Sequence, residues 1–142
     1  MNPIYSYEHR IQYYETDGMR IVHHSNYIRW MEEARIDYLS WIGCDYREME
    51  NRGILSPVLS VDCKYKHSTT FGDRIAIQVT VKEFRGVRLV LSYEMKNMAD
   101  DTLVCTAMSE HCFLDKDYRP ILLKKEHPDI HQLLMQSVSK EE

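Results

Sequence analysis

The chain has 142 residues, 44% of them apolar and 28% charged, with a net charge of −4, four cysteines and seven histidines. That length reads as one domain over residues 1–142, large enough to bury roughly 70% of its unfolded surface without disulfide or metal staples. No apolar run approaches the roughly 18–20 residues that span a bilayer. The opening MNPIYSYEHR holds no signal-peptide core, and the acidic balance lacks the basic stripe of a nucleic-acid binder. Cys44, Cys63, Cys105 and Cys112 are scattered with no Cys-x-x-Cys pair, which fits neither a zinc knuckle nor a disulfide framework. A reducing, cytoplasmic setting is expected. A compact body of this size is only about 37 Å across, which leaves little room for a deep cavity over its own core.

Residues 5–14 read as a strand of mixed pattern, ending in the turn signal Glu15-Thr16-Asp17-Gly18. From residue 26 to about 41 the period becomes helical. Tyr27, Trp30, Met31, Ala34, Tyr38, Trp41 and Ile42 share one stripe, opposite Arg29, Glu32, Glu33, Asp37 and Ser40, with Ile36 the misfit. Ser25 or Asn26 is placed to cap the start, and Gly43 lies just past the end. Residues 45–53 are expected to form a short second helix. Period-two alternation then takes over. One face collects Leu59, Val61, Cys63, Tyr65 and His67, then Ile75, Ile77, Val79 and Val81, then Val87, Leu89, Leu91, Tyr93 and Met95, and finally Leu103, Cys105, Ala107 and His111. Phe71-Gly72-Asp73, Arg85-Gly86 and Ala99-Asp100-Asp101 are short enough for hairpins. The tail after Pro120 reads as a short helix over roughly the last fifteen residues, fading into disorder.

Strands of about 12 residues extend about 40 Å, longer than the ~24 Å of a 16-residue helix. A twisted sheet of that length should curl around the helix. The expected fold class is α+β, one long central helix wrapped by a curved antiparallel sheet of about five strands.

The stretch most informative about chemistry is Tyr13-Tyr14-Glu15-Thr16-Asp17-Gly18-Met19-Arg20-Ile21-Val22-His23-His24-Ser25-Asn26-Tyr27, leading into the helix. With the order of elements and Phe71-Gly72-Asp73, it resembles the 4-hydroxybenzoyl-CoA thioesterase-like branch of the hotdog-fold superfamily. The resemblance covers about residues 5–118. It implies an acyl-CoA thioesterase, acting on a CoA or acyl-carrier-protein thioester without metal or other cofactor. Asp17 falls on the family's catalytic carboxylate, as nucleophile or general base. The backbone N–H near His24 falls on the oxyanion site, and His23 and Asn26 on the active-site loop. Thioester cleavage needs little acid help, because a leaving thiol has a pKa of about 8.5. The resemblance further implies a homodimer or a dimer of dimers, with sheets joined edge to edge and sites between protomers.

Plainer readings stand beside these. Asp17 before Gly18 is an ordinary turn residue, and Asn26 an ordinary N-cap. His23 and His24 are a poor metal pair, because adjacent side chains diverge and no third ligand follows at a recognisable spacing. Trp30, Met31 and Tyr38 belong to a core, Glu32 and Glu33 to a solvated helix face. Lys64, Lys66, Arg85 and Arg88 are either CoA phosphate contacts or solvated strand residues. Arg20 stands where relatives commonly carry glycine, a position that favours unusual backbone angles. A hotdog hydratase or dehydratase and a non-catalytic acyl-CoA-binding protein are the alternative functions.

Overall fold

The computed structural model describes residues 5–139. Strand β1 (Tyr7–Arg10) and a single 3-10 turn (Tyr13–Glu15) lead through an irregular loop into α1 (Ser25–Trp41) and the short α2 (Tyr46–Asn51). Strands β2 (Val58–Tyr65), β3 (Arg74–Phe84), β4 (Arg88–Asn97) and β5 (Leu103–Cys112) follow, and then helices α3 (Leu123–Glu126) and α4 (Pro128–Ser137). The five strands form one antiparallel sheet in the order β1-β3-β4-β5-β2. This is the α+β architecture the alternation predicts.

The central helix forms because its apolar stripe has a sheet to cover. Tyr27, Trp30, Met31, Ala34 and Tyr38 are all buried, packed with Ile75, Ile77, Val79 and Val81 of β3 and Leu89, Leu91, Tyr93 and Met95 of β4 in one continuous core. The turn of the stripe differs at its end, where Leu39 is buried and Trp41 is half exposed. With 17 residues, α1 is about 25 Å long, and the 11 residues of β3 extend about 37 Å. The strands are shorter than the 12 residues expected, and His67 and Val87 lie outside them.

Two further expectations are corrected. The N-terminal strand covers only four residues, because the Glu15 carboxylate accepts the Gln12 N–H at 2.8 Å and tightens residues 13–15 into a turn. Phe71-Gly72-Asp73 is not a hairpin. Strand β2 pairs with β5 at the far edge, so residues 66–73 cross the open end of the fold to reach β3. The expected tail helix is present as α4, with Ile130 and Leu134 buried, and beyond it the Ser139 N–H donates to the Val81 carbonyl at 2.8 Å. The expected fade into disorder falls on residues 140–142, which lie outside the described residues.

Strand β2 is the exception to half-burial. It is an edge strand, and Val58, Leu59, Val61 and Tyr65 are all exposed. Alternation assigned the correct side chains to each face, with Cys63 opposite Ala107 and Tyr65 opposite Cys105, and α1 meets that face at Cys63, beside Met31, and at Tyr65, beside Tyr27, leaving Leu59 and Val61 exposed.

Candidate functional site

The loop between the 3-10 turn and α1 folds back on itself. Thr16 and Val22 form an antiparallel bridge. Inside it, the Asp17 N–H donates to the Ile21 carbonyl at 2.8 Å and the Arg20 N–H to the Asp17 carbonyl at 3.0 Å. Asp17 Oδ1 accepts the Met19 N–H at 2.7 Å. The turn reading of Asp17 is therefore correct, and it leaves the second carboxylate oxygen without a hydrogen bond among the described residues. Arg20 holds φ at +66°, the left-handed angle that glycine adopts at no steric cost. The substitution keeps the backbone shape of a glycine position, and the Arg20 side chain points to solvent.

The crossover from β2 to β3 braces this loop from above. The Val22 N–H donates to the Thr69 carbonyl at 2.9 Å. Thr70 Oγ1 donates to the Arg20 carbonyl at 2.7 Å, and the Tyr27 and Thr69 hydroxyls share a hydrogen bond of 2.8 Å.

Helix α1 starts without a side-chain cap. His24 occupies the N-cap position with helical angles, so neither Ser25 nor Asn26 caps the helix. Asn26 instead turns inward, buried, and donates from Nδ2 to the Glu15 carbonyl at 2.8 Å. The early amides are mostly committed. His23 N–H donates to the Glu15 carbonyl (2.9 Å), Ser25 N–H to His23 Nδ1 (3.2 Å), Asn26 N–H to the His23 carbonyl (3.0 Å) and Tyr27 N–H to the His24 carbonyl (3.3 Å). The His24 N–H makes no hydrogen bond among the described residues.

Asp17 and His24 line one open cleft of about 420 Å³, together with Val22, Tyr27, Tyr65 and Lys66. Tyr65 reaches from the end of β2 to donate to the His24 carbonyl at 3.2 Å, and its ring meets the Tyr27 ring edge-on at 5.1 Å. Burial and the neighbouring Cys63 push the Tyr65 hydroxyl up to about 12, so it remains a donor at neutral pH. Asp17, His24 and an aromatic wall of Tyr27 and Tyr65 thus line the same space.

The remaining candidates separate. His23 and His24 do not diverge; their rings stack at 4.3 Å, and His23 Nδ1 is engaged by Ser25 Oγ at 2.9 Å. No cluster of three His, Cys, Asp or Glu among the described residues is arranged to hold a metal ion. Lys66 lines the cleft, whereas Lys64 lies on the outer face of the sheet, and Arg85 and Arg88 pair with Glu83 and Glu110 far along it. Glu32 is exposed, and Glu33 is half exposed beside His9.

Sequence reasoning missed Glu15. This carboxylate is only 4% exposed. Burial alone pushes it up, but the Gln12 amide, the Trp30 indole and His9 together hold it below the ordinary carboxylate range. A tryptophan in the core stripe needs an acceptor for its N–H, which was the available signal. Tyr65 was assigned to a strand face without its link to His24, and Thr69 and Thr70 carried no signal at all.

A profile of the thioesterase-like superfamily matches residues 11–136. The chain is 35% identical over 125 residues to the Bacillus subtilis protein named "Putative acyl-CoA thioesterase YneP", covering 87% of this chain and 90% of that one. It is 25% identical over 118 residues to a 1,4-dihydroxy-2-naphthoyl-CoA hydrolase of Thermosynechococcus vestitus, covering 82% and 80%. Among solved structures, a DHNA-CoA thioesterase from Staphylococcus aureus superposes with a TM-score of 0.88 at 33% identity, over 92% of this chain and 88% of that one.

Proposed function

The chain belongs to the thioesterase-like superfamily, and on that premise we propose that it is an acyl-CoA thioesterase whose reacting carboxylate is Asp17 and whose oxyanion donor is the His24 N–H. The observation that supports this reading is the shared cleft, which both Asp17 and His24 line, His24 carrying the one early amide without an acceptor among the described residues. The names of similar proteins support the acyl-CoA part of it.

The chemistry follows from the charges. As the thioester carbonyl is attacked, negative charge grows on its oxygen. A preorganised N–H at the positive end of α1 stabilises that charge without reorganising, and such a donor is worth about 3–4 kcal/mol in comparable acyl transfers. Asp17 either attacks the carbonyl carbon, giving a mixed anhydride that water then opens, or takes a proton from an attacking water. In both routes the C–S bond breaks and CoA leaves as a thiolate, whose low basicity removes the need for a strong acid. An acyl carrier protein is the second possible thiol carrier. The same reading includes a reducing, cytoplasmic setting, which four free thiols support.

The site also calls for a partner. A homodimer, alone or as a dimer of dimers, joined along β2 would cover Leu59 and Val61, which are 55% and 38% exposed, and would satisfy the free edge of that strand. Tyr65 ends the same strand, so a second chain paired there would close the Asp17–His24 cleft.

The test is a screen of short, long, branched and aromatic acyl-CoAs, followed by free-thiol release. Thiol release from at least one class is the expected result. New double-bond absorbance without thiol would mark a hydratase or dehydratase, and saturable binding without turnover a binding protein; either would overturn the reading.

A further inference from the structure

We propose that Glu15 is the positioning residue that aims the His24 N–H at the thioester carbonyl; the inference rests on the hydrolase reading above. Five hydrogen bonds converge on this one residue. Its carboxylate accepts from the Gln12 N–H at 2.8 Å, His9 Nε2 at 2.9 Å and Trp30 Nε1 at 2.6 Å, which ties the 3-10 turn, β1 and the middle of α1 to a single point. Its carbonyl accepts from the His23 N–H at 2.9 Å and Asn26 Nδ2 at 2.8 Å, which ties the start of α1 to the same point.

The consequence for His24 is geometric. The peptide plane between His23 and His24 carries the free N–H, and that plane is rigid. Its orientation is set by the backbone on either side. The His23 N–H is fixed on Glu15, and Asn26, two residues into the helix, is fixed on the same carbonyl. Thr16, next in the chain, bridges Val22, so Glu15 also closes the base of the loop that carries Asp17. Both reacting groups are therefore referenced to one anchor.

A buried carboxylate is a costly way to fill space. Replacing buried charge networks with apolar groups of the same shape is often neutral or stabilising. Here the charge accepts three hydrogen bonds, and His9, whose ring lies tilted against Trp30 at 4.8 Å and approaches Glu33 at 3.5 Å, holds the third side of it. What such a network provides over a hydrophobic plug is a single geometry. A displacement of about 1 Å at the reacting groups costs on the order of 10²-fold in rate.

The experiment compares wild type with Glu15→Gln on the acyl-CoA turned over fastest, with folding checked by circular dichroism. The amide keeps the shape but presents N–H where a donor already points. The expected result is a fall in kcat of about 10–100-fold, with KM within about threefold, and a displaced His24 amide resonance in the 1H–15N spectrum. A wild-type kcat in folded Glu15→Gln would overturn the proposal. So would a loss explained by the unfolded fraction alone. Should Glu15→Gln fail to fold, His9→Phe removes the Nε2 donor and carries the same test, with a several-fold loss of kcat per folded molecule supporting the proposal and unchanged kcat overturning it. Wild type inactive on every acyl-CoA defeats the hydrolase reading separately, and the His24 resonance still reports whether Glu15 sets that amide's orientation.

Discussion

Thr70 holds Arg20 in place: the threonine hydroxyl donates to the arginine carbonyl at 2.7 Å, across 50 residues of sequence, while Arg20 sits at φ +66°. A side chain in the left-handed region carries a steric cost, offset here by the crossover that brings Thr70 to the loop. Arg20→Gly should therefore raise stability by about 0.5–1 kcal/mol, the relief of that cost less the added freedom of the unfolded chain. Thiol release should be unaffected, because the Arg20 side chain points to solvent. Urea unfolding at neutral pH measures the first, and an unchanged or lower midpoint would contradict it.

His111 gives the fold an acid limit. It is fully buried, with Nε2 at 2.7 Å from Ser109 Oγ, which in turn bonds the Tyr93 hydroxyl at 2.7 Å. Burial, assisted by the charge on Arg35, pushes the imidazole down to about 4. The unfolded chain binds this proton near the ordinary histidine value of about 6.5, well before the folded one does. Stability from this group is thus complete above about pH 6.5 and is lost as pH falls toward about 4. The total loss is about 3 kcal/mol. His111→Phe should flatten that limb of the stability profile, as followed by denaturant midpoints between pH 4 and 7; an unchanged slope would show that the limb lies elsewhere.

Leu59→Lys combined with Val61→Lys tests the edge of β2. Both side chains are exposed in the single chain, so the substitutions leave the fold intact, but a charged edge opposes pairing with another strand. The expected outcome is a shift from dimer to monomer in light scattering, accompanied by loss of thiol release. A dimer that persists unchanged would place the contact on another surface.

The helix and the four long strands were legible because burial imposes a period, and the stripe of Tyr27, Trp30, Met31, Ala34 and Tyr38 shows it plainly. Partnering was not legible in the same way. Alternation in β2 identifies which side chains share a face, yet it says nothing about whether that face has a neighbour, and so Val61 and Tyr65 read as half-buried. The short Phe71-Gly72-Asp73 suggested a hairpin because turn chemistry is local, whereas the placement of β2 beside β5 is decided by the whole sheet. At the site, Asp17 and His24 stood out through a resemblance. The type of Asn26 suits a cap, but a buried amide needs a partner in the interior, here the Glu15 carbonyl that it shares with the His23 N–H. Glu15 itself is inconspicuous: a carboxylate before Thr-Asp-Gly looks like part of a turn until Trp30 and His9 are seen to point at it.

Asp17→Asn is the most direct test of the account. The substitution keeps the side-chain oxygen that accepts the Met19 N–H and removes the charge, so the loop should survive and the chemistry should not. Thiol release from the preferred acyl-CoA, measured per folded molecule at saturating substrate, should fall by about 10²–10⁴-fold. Release at the wild-type rate by folded Asp17→Asn would contradict the assignment of Asp17 as the reacting carboxylate.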